Sequence, residues 1–527
     1  MNVHSVKSPS AELMSLVGTH ALATPAKADL FHHEPNQAES FELAINAHDS
    51  KPGEVSKKES PNFSFLLQAS NPTQPSMHAI VAREPERISE MPAWKQHETV
   101  GSSSGTIDPS FLLFDLPNML LDEPQDYGDI EYNPLQFSGI FGPSTESVDA
   151  LSMQIVALSN ILQELTTNKP HLRDGLDQSC QRGFFTTSHF QHVLVFVFRR
   201  RHYHQDMIHW PTFDPEKVSL QLLLAVVLTG TVYLQYLDQS SPSSINTALL
   251  ELAEKYVYKE LKELSGQGFS PVTSRHMLDI CQAAVMMNTL EGSANHIESR
   301  RRIASKRIPT LVGVLRKVKL MSLKHEPGKS WEDFVHRETC IRVVIWTFMN
   351  DSLLGLFCNH PPVITSKEMT GDLPCPTGIW EADSSVGFQE RSQHRLARSY
   401  PSSCSEAIAG LLAEDWTPAI RDSFGKLDHT DLFYLSSGLG RHVFHYHRWD
   451  SLWMDAYQRI PEDERKWLGI KKHTAEVMAL SRRTIEIIQS GEAKDSAYLQ
   501  DIGTYDTTVF YEFVQKYGQT RPGTAKN

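Results

Sequence analysis

Cysteine is scarce in this chain of 527 residues. There are six, Cys180, Cys281, Cys340, Cys358, Cys375 and Cys404, with none before residue 180 and no two in a C-x-x-C pair. Such spacing builds no disulfide framework in a chain this long, so they read as reduced thiols of an intracellular protein. The same scarcity leaves the N-terminal region without the ligands for a Cys-rich binuclear cluster or a paired Cys/His zinc finger. A long apolar leader is missing too, since MNVHSVKSPSAELMSLVG lacks the core of a signal peptide. The most apolar run, Leu220 to Leu237, is interrupted by Gln221, Thr229, Thr231 and Gln235. It reads as a buried helix rather than a membrane span.

Catalytic signatures are equally thin. The chain has no G-x-S-x-G elbow, no G-x-x-x-x-G-K phosphate loop, no G-x-G-x-x-G and no H-E-x-x-H. Helical chains of this size invite comparison with magnesium-dependent cyclases, but no D-D-x-x-D run exists, and Asn350–Asp351 in NDSLLGLF is only half of such a motif. Two His-Tyr-His triplets occur, at His202–His204 and His445–His447. Residues two apart on a helix point to nearly opposite sides, so neither triplet makes a clean pair of ligands. His442 and His445 share a face but have no obvious carboxylate or thiol partner nearby. The expectation is a protein that is not an enzyme, with no metal or cofactor of its own.

Positive charge is absent over one long interval: no Lys or Arg lies between Lys95 and Lys169. The net charge is −13 and the pI about 6.0, which argues against strong non-specific DNA binding by this polypeptide alone. Residues 1–145 are rich in Ser, Pro, His and Glu without a lasting amphipathic period, and read as disordered. Within them, residues 107–137 alternate apolar and acidic side chains. Phe111, Leu112, Phe114, Leu116, Leu120 and Leu121 sit among Asp108, Asp115, Asp122, Glu123, Asp126 and Asp129. This is the composition of an acidic activation segment, whose charges keep the apolar groups solvated until a partner groove takes them as a short helix. A linker folding back onto the following domain is the alternative.

From residue 146 to about 520 the pattern is helical. Val148, Leu151, Ile155, Leu158, Ile161 and Leu162 fall at helical spacing. Further helices are expected at 189–199, 214–237, 245–264, 275–290, 297–318, 330–357, 403–412, 436–457 and 473–490. Asp214 is placed to cap the second of these, with Pro215 at its first position. Period-two strands and internal repeats are missing. The fold class is therefore all-α: one large helical domain after a disordered N-terminal region.

Two basic clusters stand out. Arg199, Arg200 and Arg201 could contact phosphate, or could simply complement the negative end of the preceding helix. Arg300, Arg301, Arg302, Lys306 and Arg307 have the density of a nuclear import signal. They also suit a solvated helix face, because Ile297, Ile303, Ala304 and Ile308 continue a buried stripe.

Two blocks carry a family resemblance. The first runs through Phe198, Ile208, His209, Trp210, Pro211, Thr212 and Phe213 into Leu222, Leu223, Leu224 and Ala225. The second runs from Trp331 to Ala382. It contains Glu338 and Arg342, four apart on one helix face, then Trp346, Phe348, Asp351, Pro361, Pro362, Ile364, Glu368, Asp372, Leu373, Pro374 and Trp380. Together they resemble the fungal-specific transcription factor domain, the middle homology region of fungal zinc-finger regulators, over roughly Phe184 to Trp449. The resemblance implies an all-helical regulatory domain, nuclear location and control of transcription, as in regulators of secondary-metabolite gene clusters. It carries over no catalytic residues. Members usually bear a zinc module N-terminal to this domain, and none is visible here. Either a finger-encoding exon was lost or left out of the gene model, or the protein reaches promoters through a DNA-bound partner or the transcription machinery. Homodimerisation is implied only by analogy. A helical small-molecule sensor, or an enzyme with an apolar pocket between helices, is the competing reading.

Overall fold

The apolar run at 220–237 forms the helix around which the others gather. In the computed structural model, residues 63–74, 76–82, 150–200, 206–237, 245–266, 274–392, 400–413, 415–439, 446–500 and 503–518 are described. The helices in chain order are α1 (Ser64–Ala69), α2 (His78–Val81), α3 (Ala150–Leu165), α4 (Pro170–Gln181), α5 (Thr187–Arg199), α6 (Leu220–Leu237) and α7 (Thr247–Gly266). Next come α8 (Arg275–Gly292), α9 (Ile297–Arg302), α10 (Ile308–Lys317), α11 (Trp331–Cys358), α12 (Thr377–Trp380), α13 (Ser385–Ser392) and α14 (Cys404–Leu412). The rest are α15 (Pro418–Gly425), α16 (His429–Leu439), α17 (Tyr446–Gln458), α18 (Glu462–Arg465), α19 (Thr474–Ser490), α20 (Ala497–Gln500) and α21 (Thr507–Tyr517). No strand occurs among the described residues, where β-pairing is limited to two isolated bridges.

α6 is buried all round from Gln221 to Tyr233, packed by α5, α7, α8 and α2. A helix apolar on every face is a core helix when neighbours cover it. Both α6 and α11 are long and apolar enough to cross a membrane, but 72% of each apolar window is buried inside the protein. Gly230 sets the α5–α6 distance, since a Cβ there would lie 2.4 Å from Val197 Cγ2 and 2.5 Å from Val193 Cγ1. α11 begins at the Ser330 cap, whose hydroxyl accepts from Asp333 N, and ends where Asn359 turns left-handed at φ 48°.

Several boundaries differ from the sequence reading. Asp214 does not cap α6. Its carboxylate accepts from Glu216 N in a turn, and the helix starts at Leu220 with Ser219 Oγ accepting from Leu222 N. Of the helix expected at 436–457, residues 436–439 belong to α16 and 446–457 to α17, and 440–445 lie outside the described residues. The helix expected at 297–318 carries a π turn at Ile303–Arg307 between α9 and α10. Ile303, Ala304 and Ile308 are buried as the stripe requires, but Ile297 is exposed.

The expectation of an unfolded 1–145 does not extend to Phe63–Ala82. This strap holds α1 and α2, and Phe63, Phe65 and Leu66 join a second apolar cluster with Leu480, Phe510 and Phe513. The activation candidates Phe111, Leu112, Phe114, Leu116, Leu120 and Leu121 lie outside the described residues, as do His202, His204, His442 and His445. No disulfide joins any of the six cysteines.

Candidate functional site: a buried charge network beside an apolar cavity

The i,i+4 pair Glu338–Arg342 on α11 lies inside the protein, with both side chains about 1% exposed or less. Arg342 Nε donates to Glu338 Oε1 at 2.6 Å, Nη1 meets Asp206 Oδ2 at 2.9 Å, and Nη2 donates to the Cys375 carbonyl at 2.7 Å. Its guanidinium lies 4.5 Å over the Trp380 ring. Asp206, between α5 and α6, also accepts from Trp346 Nε1 at 2.5 Å and from Tyr434 OH at 2.9 Å, with Lys471 Nζ at 3.5 Å. Glu338 accepts from Cys375 N at 2.8 Å and contacts His325 Nε2 at 2.6 Å. The far nitrogen of His325 meets Asp372 Oδ2 at 3.1 Å. The result is one chain of alternating charge, Lys471–Asp206–Arg342–Glu338–His325–Asp372.

Opposite charges in a dry site fix each other's ionisation. Burial pushes the Asp206 carboxyl up, but Lys471, Arg342 and the Trp346 and Tyr434 donors overcome it and hold it well below the usual carboxylate range. Burial likewise opposes ionisation of Glu338, yet Arg342 and His325 bring it down to about 2. Burial lowers His325, and the hydrogen bonds to Asp372 and Glu338 outweigh it, raising the ring to about 9. The imidazole is therefore a cation at neutral pH, and the network is saturated with partners.

This network ties together the two blocks seen in the sequence. Beside Asp206, the aromatic corner Ile208, His209, Trp210 and Phe213 is buried. The His209 ring packs edge-on to Trp380 at 4.6 Å and to Trp331 at 5.9 Å. Asp351, the acid of the half-motif, is structural: its Oδ2 accepts from Val363 N and Ile364 N, each at 2.8 Å. Asn350 bonds Thr289 Oγ1 and the Val285 carbonyl.

The second basic cluster is divided. Arg300 is buried and donates to the carbonyls of Ala294 and Tyr505 and to Asn295 Oδ1. Arg302 pairs with Glu254 and Glu291, and Arg307 with Glu254 over the Tyr258 ring. Arg301, paired with Glu298, and Lys306 remain exposed. In the first cluster, Arg200 is buried, donates to the Ala82 carbonyl at 2.7 Å and lies over Phe196. Arg201 lies outside the described residues.

Toward the C-terminal end of α11 is a cavity that no sequence motif marked. Two adjoining chambers, of about 130 and 410 Å³, share Met77, Leu353, Phe357 and Ile470 in their walls. Pockets between helices are common sites for small molecules.

Residues 184–429 match the model of the fungal specific transcription factor domain. A protein described as Transcription factor verF, from Penicillium polonicum, is 24% identical over 327 residues. That alignment covers 56% of this chain but only 43% of the relative, so the chain spans less than half of the curated relative it matches. No solved structure matches. The matched span contains Asp206, His325, Glu338, Arg342 and Asp372, whereas Tyr434, Lys471 and the strap lie outside it.

Proposed function

We propose that the protein is a fungal transcription regulator acting in the nucleus, with the helical domain as its regulatory and partner-contacting module. The observation that carries this reading is the match over 184–429, whose two sequence blocks meet in the buried network around Arg342. The transcription-factor relative supports it. The chain acts as a regulator, and the mutual bonding of the acids and bases in the network suits a structural role for them. It reaches promoters through the transcription machinery or a DNA-bound partner, and residues 107–137 serve as its activation segment. Of the basic cluster, Arg301 and Lys306 are the cations available to an import receptor.

The test is genome-wide chromatin immunoprecipitation of the tagged chain in its own organism. Discrete promoter peaks are expected, and the genes that lose transcripts on deletion of the gene define whether a biosynthetic cluster is the target. Absence of peaks with the protein expressed would overturn the reading. Deleting residues 107–137 from the promoter-tethered chain should weaken a reporter, and an unchanged signal removes the activation role.

A further inference from the structure

The two-chambered cavity has the chemistry of a ligand site. Among the described residues, no Asp, Glu, Lys or Arg lines the larger chamber. Arg300 is the one charged residue lining the smaller among the described residues, and its guanidinium is taken up by Ala294, Asn295 and Tyr505. A charged guest would lose its hydration without gaining a counter-ion, which is strongly unfavourable. The walls therefore select neutral molecules, and Phe65, Leu353, Leu356, Phe357 and Ile470 select apolar ones.

Hydrogen-bonding capacity is left over in the smaller chamber. His78 and Asn288 both line it, both are at least nine-tenths buried, and each has a nitrogen without a protein partner, His78 Nε2 and Asn288 Nδ2. The Asn288 amide is oriented, because its Oδ1 accepts from Tyr258 OH at 2.6 Å, so the remaining group is a donor. Burying a polar group unsatisfied costs about 1–3 kcal/mol, and a guest with a carbonyl or hydroxyl oxygen relieves that. Burial keeps the His78 ring neutral by lowering it to about 4, which suits a neutral guest.

One wall comes from a segment far away in the chain. The strap supplies Phe65, Met77 and His78, and both apolar packing and polar ties seat it over the cavity, among them Asn295 Nδ2 to the Pro72 carbonyl at 2.9 Å and Arg200 Nη1 to the Ala82 carbonyl at 2.7 Å. Leu66 N donates to Glu476 Oε1 at 2.6 Å, Met77 N to the Ser293 carbonyl at 3.1 Å, and the Phe65 ring stacks on His473 at 3.9 Å. The cavity is built jointly: Asn288, Leu353, Leu356 and Phe357 lie inside the matched 184–429 span, whereas the strap and α19 lie outside it.

We propose that this cavity binds a neutral, largely apolar small molecule bearing a carbonyl or hydroxyl group, and that the Phe63–Ala82 strap closes over it. Binding of this kind stands independently of the transcriptional role. The probe is Nile red, a neutral apolar dye with a ring carbonyl, titrated into the full chain. Saturable one-to-one binding is expected. Ser352→Phe and, separately, Thr484→Phe place bulk in the larger chamber and should each weaken binding tenfold or more, with helical circular dichroism retained. Hydrogen exchange of the wild-type chain should slow across residues 63–82 when the dye is bound, and this readout decides the matter if both variants unfold. Non-saturable binding, or undiminished affinity in folded variants, overturns the site. Saturable binding without slowed strap exchange overturns the closure.

Discussion

The two ends of α11 do opposite things. Its first half carries Glu338 and Arg342 into a network in which each charge is answered, and its second half presents Ser352, Leu353 and Phe357 to a cavity with polar nitrogens to spare. Trp346 belongs to both, since its Nε1 donates to Asp206 while the residue lines the smaller chamber. A saturated network fixes one geometry, because changing any member strands a buried charge. An apolar cavity under a strap imposes no such penalty and can accommodate change. One helix thus joins a rigid anchor to an adaptable site.

The strongest way to break the comparison is Arg342→Ala. It strands Asp206 and Glu338 as buried anions, and a loss of about 3–5 kcal/mol is expected in urea unfolding. Arg342→Lys should recover only part, because an ammonium cannot fork between two carboxylates. A loss below 1 kcal/mol for the alanine variant would mean the network anchors nothing. The pH profile of stability comes next. His325 has its folded pKa raised to about 9, so its contribution is complete below about 6.5 and is lost as pH rises through about 9. Glu338 is depressed to about 2, so its contribution is present above about 4.5 and is lost as pH falls toward 2. His325→Gln should flatten the alkaline limb of the thermal melting profile.

Trp346→Phe removes one charge-assisted hydrogen bond and should destabilise by about 1.5–3 kcal/mol in the same urea assay. It should also alter dye affinity, whereas Arg342→Lys should leave the affinity near wild type. If both variants shift it equally, the two halves are not separable. Smallest is His78→Leu, which exchanges an incompletely bonded buried ring for an apolar group. Stability by calorimetry should stay within about 1 kcal/mol of wild type.

How much could be read in advance varied by type of signal. Helical periodicity placed α5, α7, α8, α11, α14 and α19 within two or so residues. It failed at the start of α6, where a turn at Asp214 imitates a helix start. The pair Glu338–Arg342 was legible because its spacing is local. Asp206, His325, Tyr434 and Lys471 were not, because they come from four other parts of the chain and meet only after packing. The strap lacked any signal: α1 and α2 are one or two turns each, too short for a period. The cluster Arg300–Arg307 shows the same limit from the other side, since density of charge in sequence says nothing about which guanidinium finds a buried carboxylate.

By itself the sequence determined the all-helical class, the apolar helix at the centre and the two blocks of the family domain, because each is encoded in local spacing of side chains. The tertiary structure alone decided that a helix-face ion pair becomes the middle of a buried six-member chain, and that a piece of the N-terminal region forms a cavity wall. Both depend on groups far apart in the chain meeting where water is excluded, and there a charge must find a partner while an apolar wall need only find another surface.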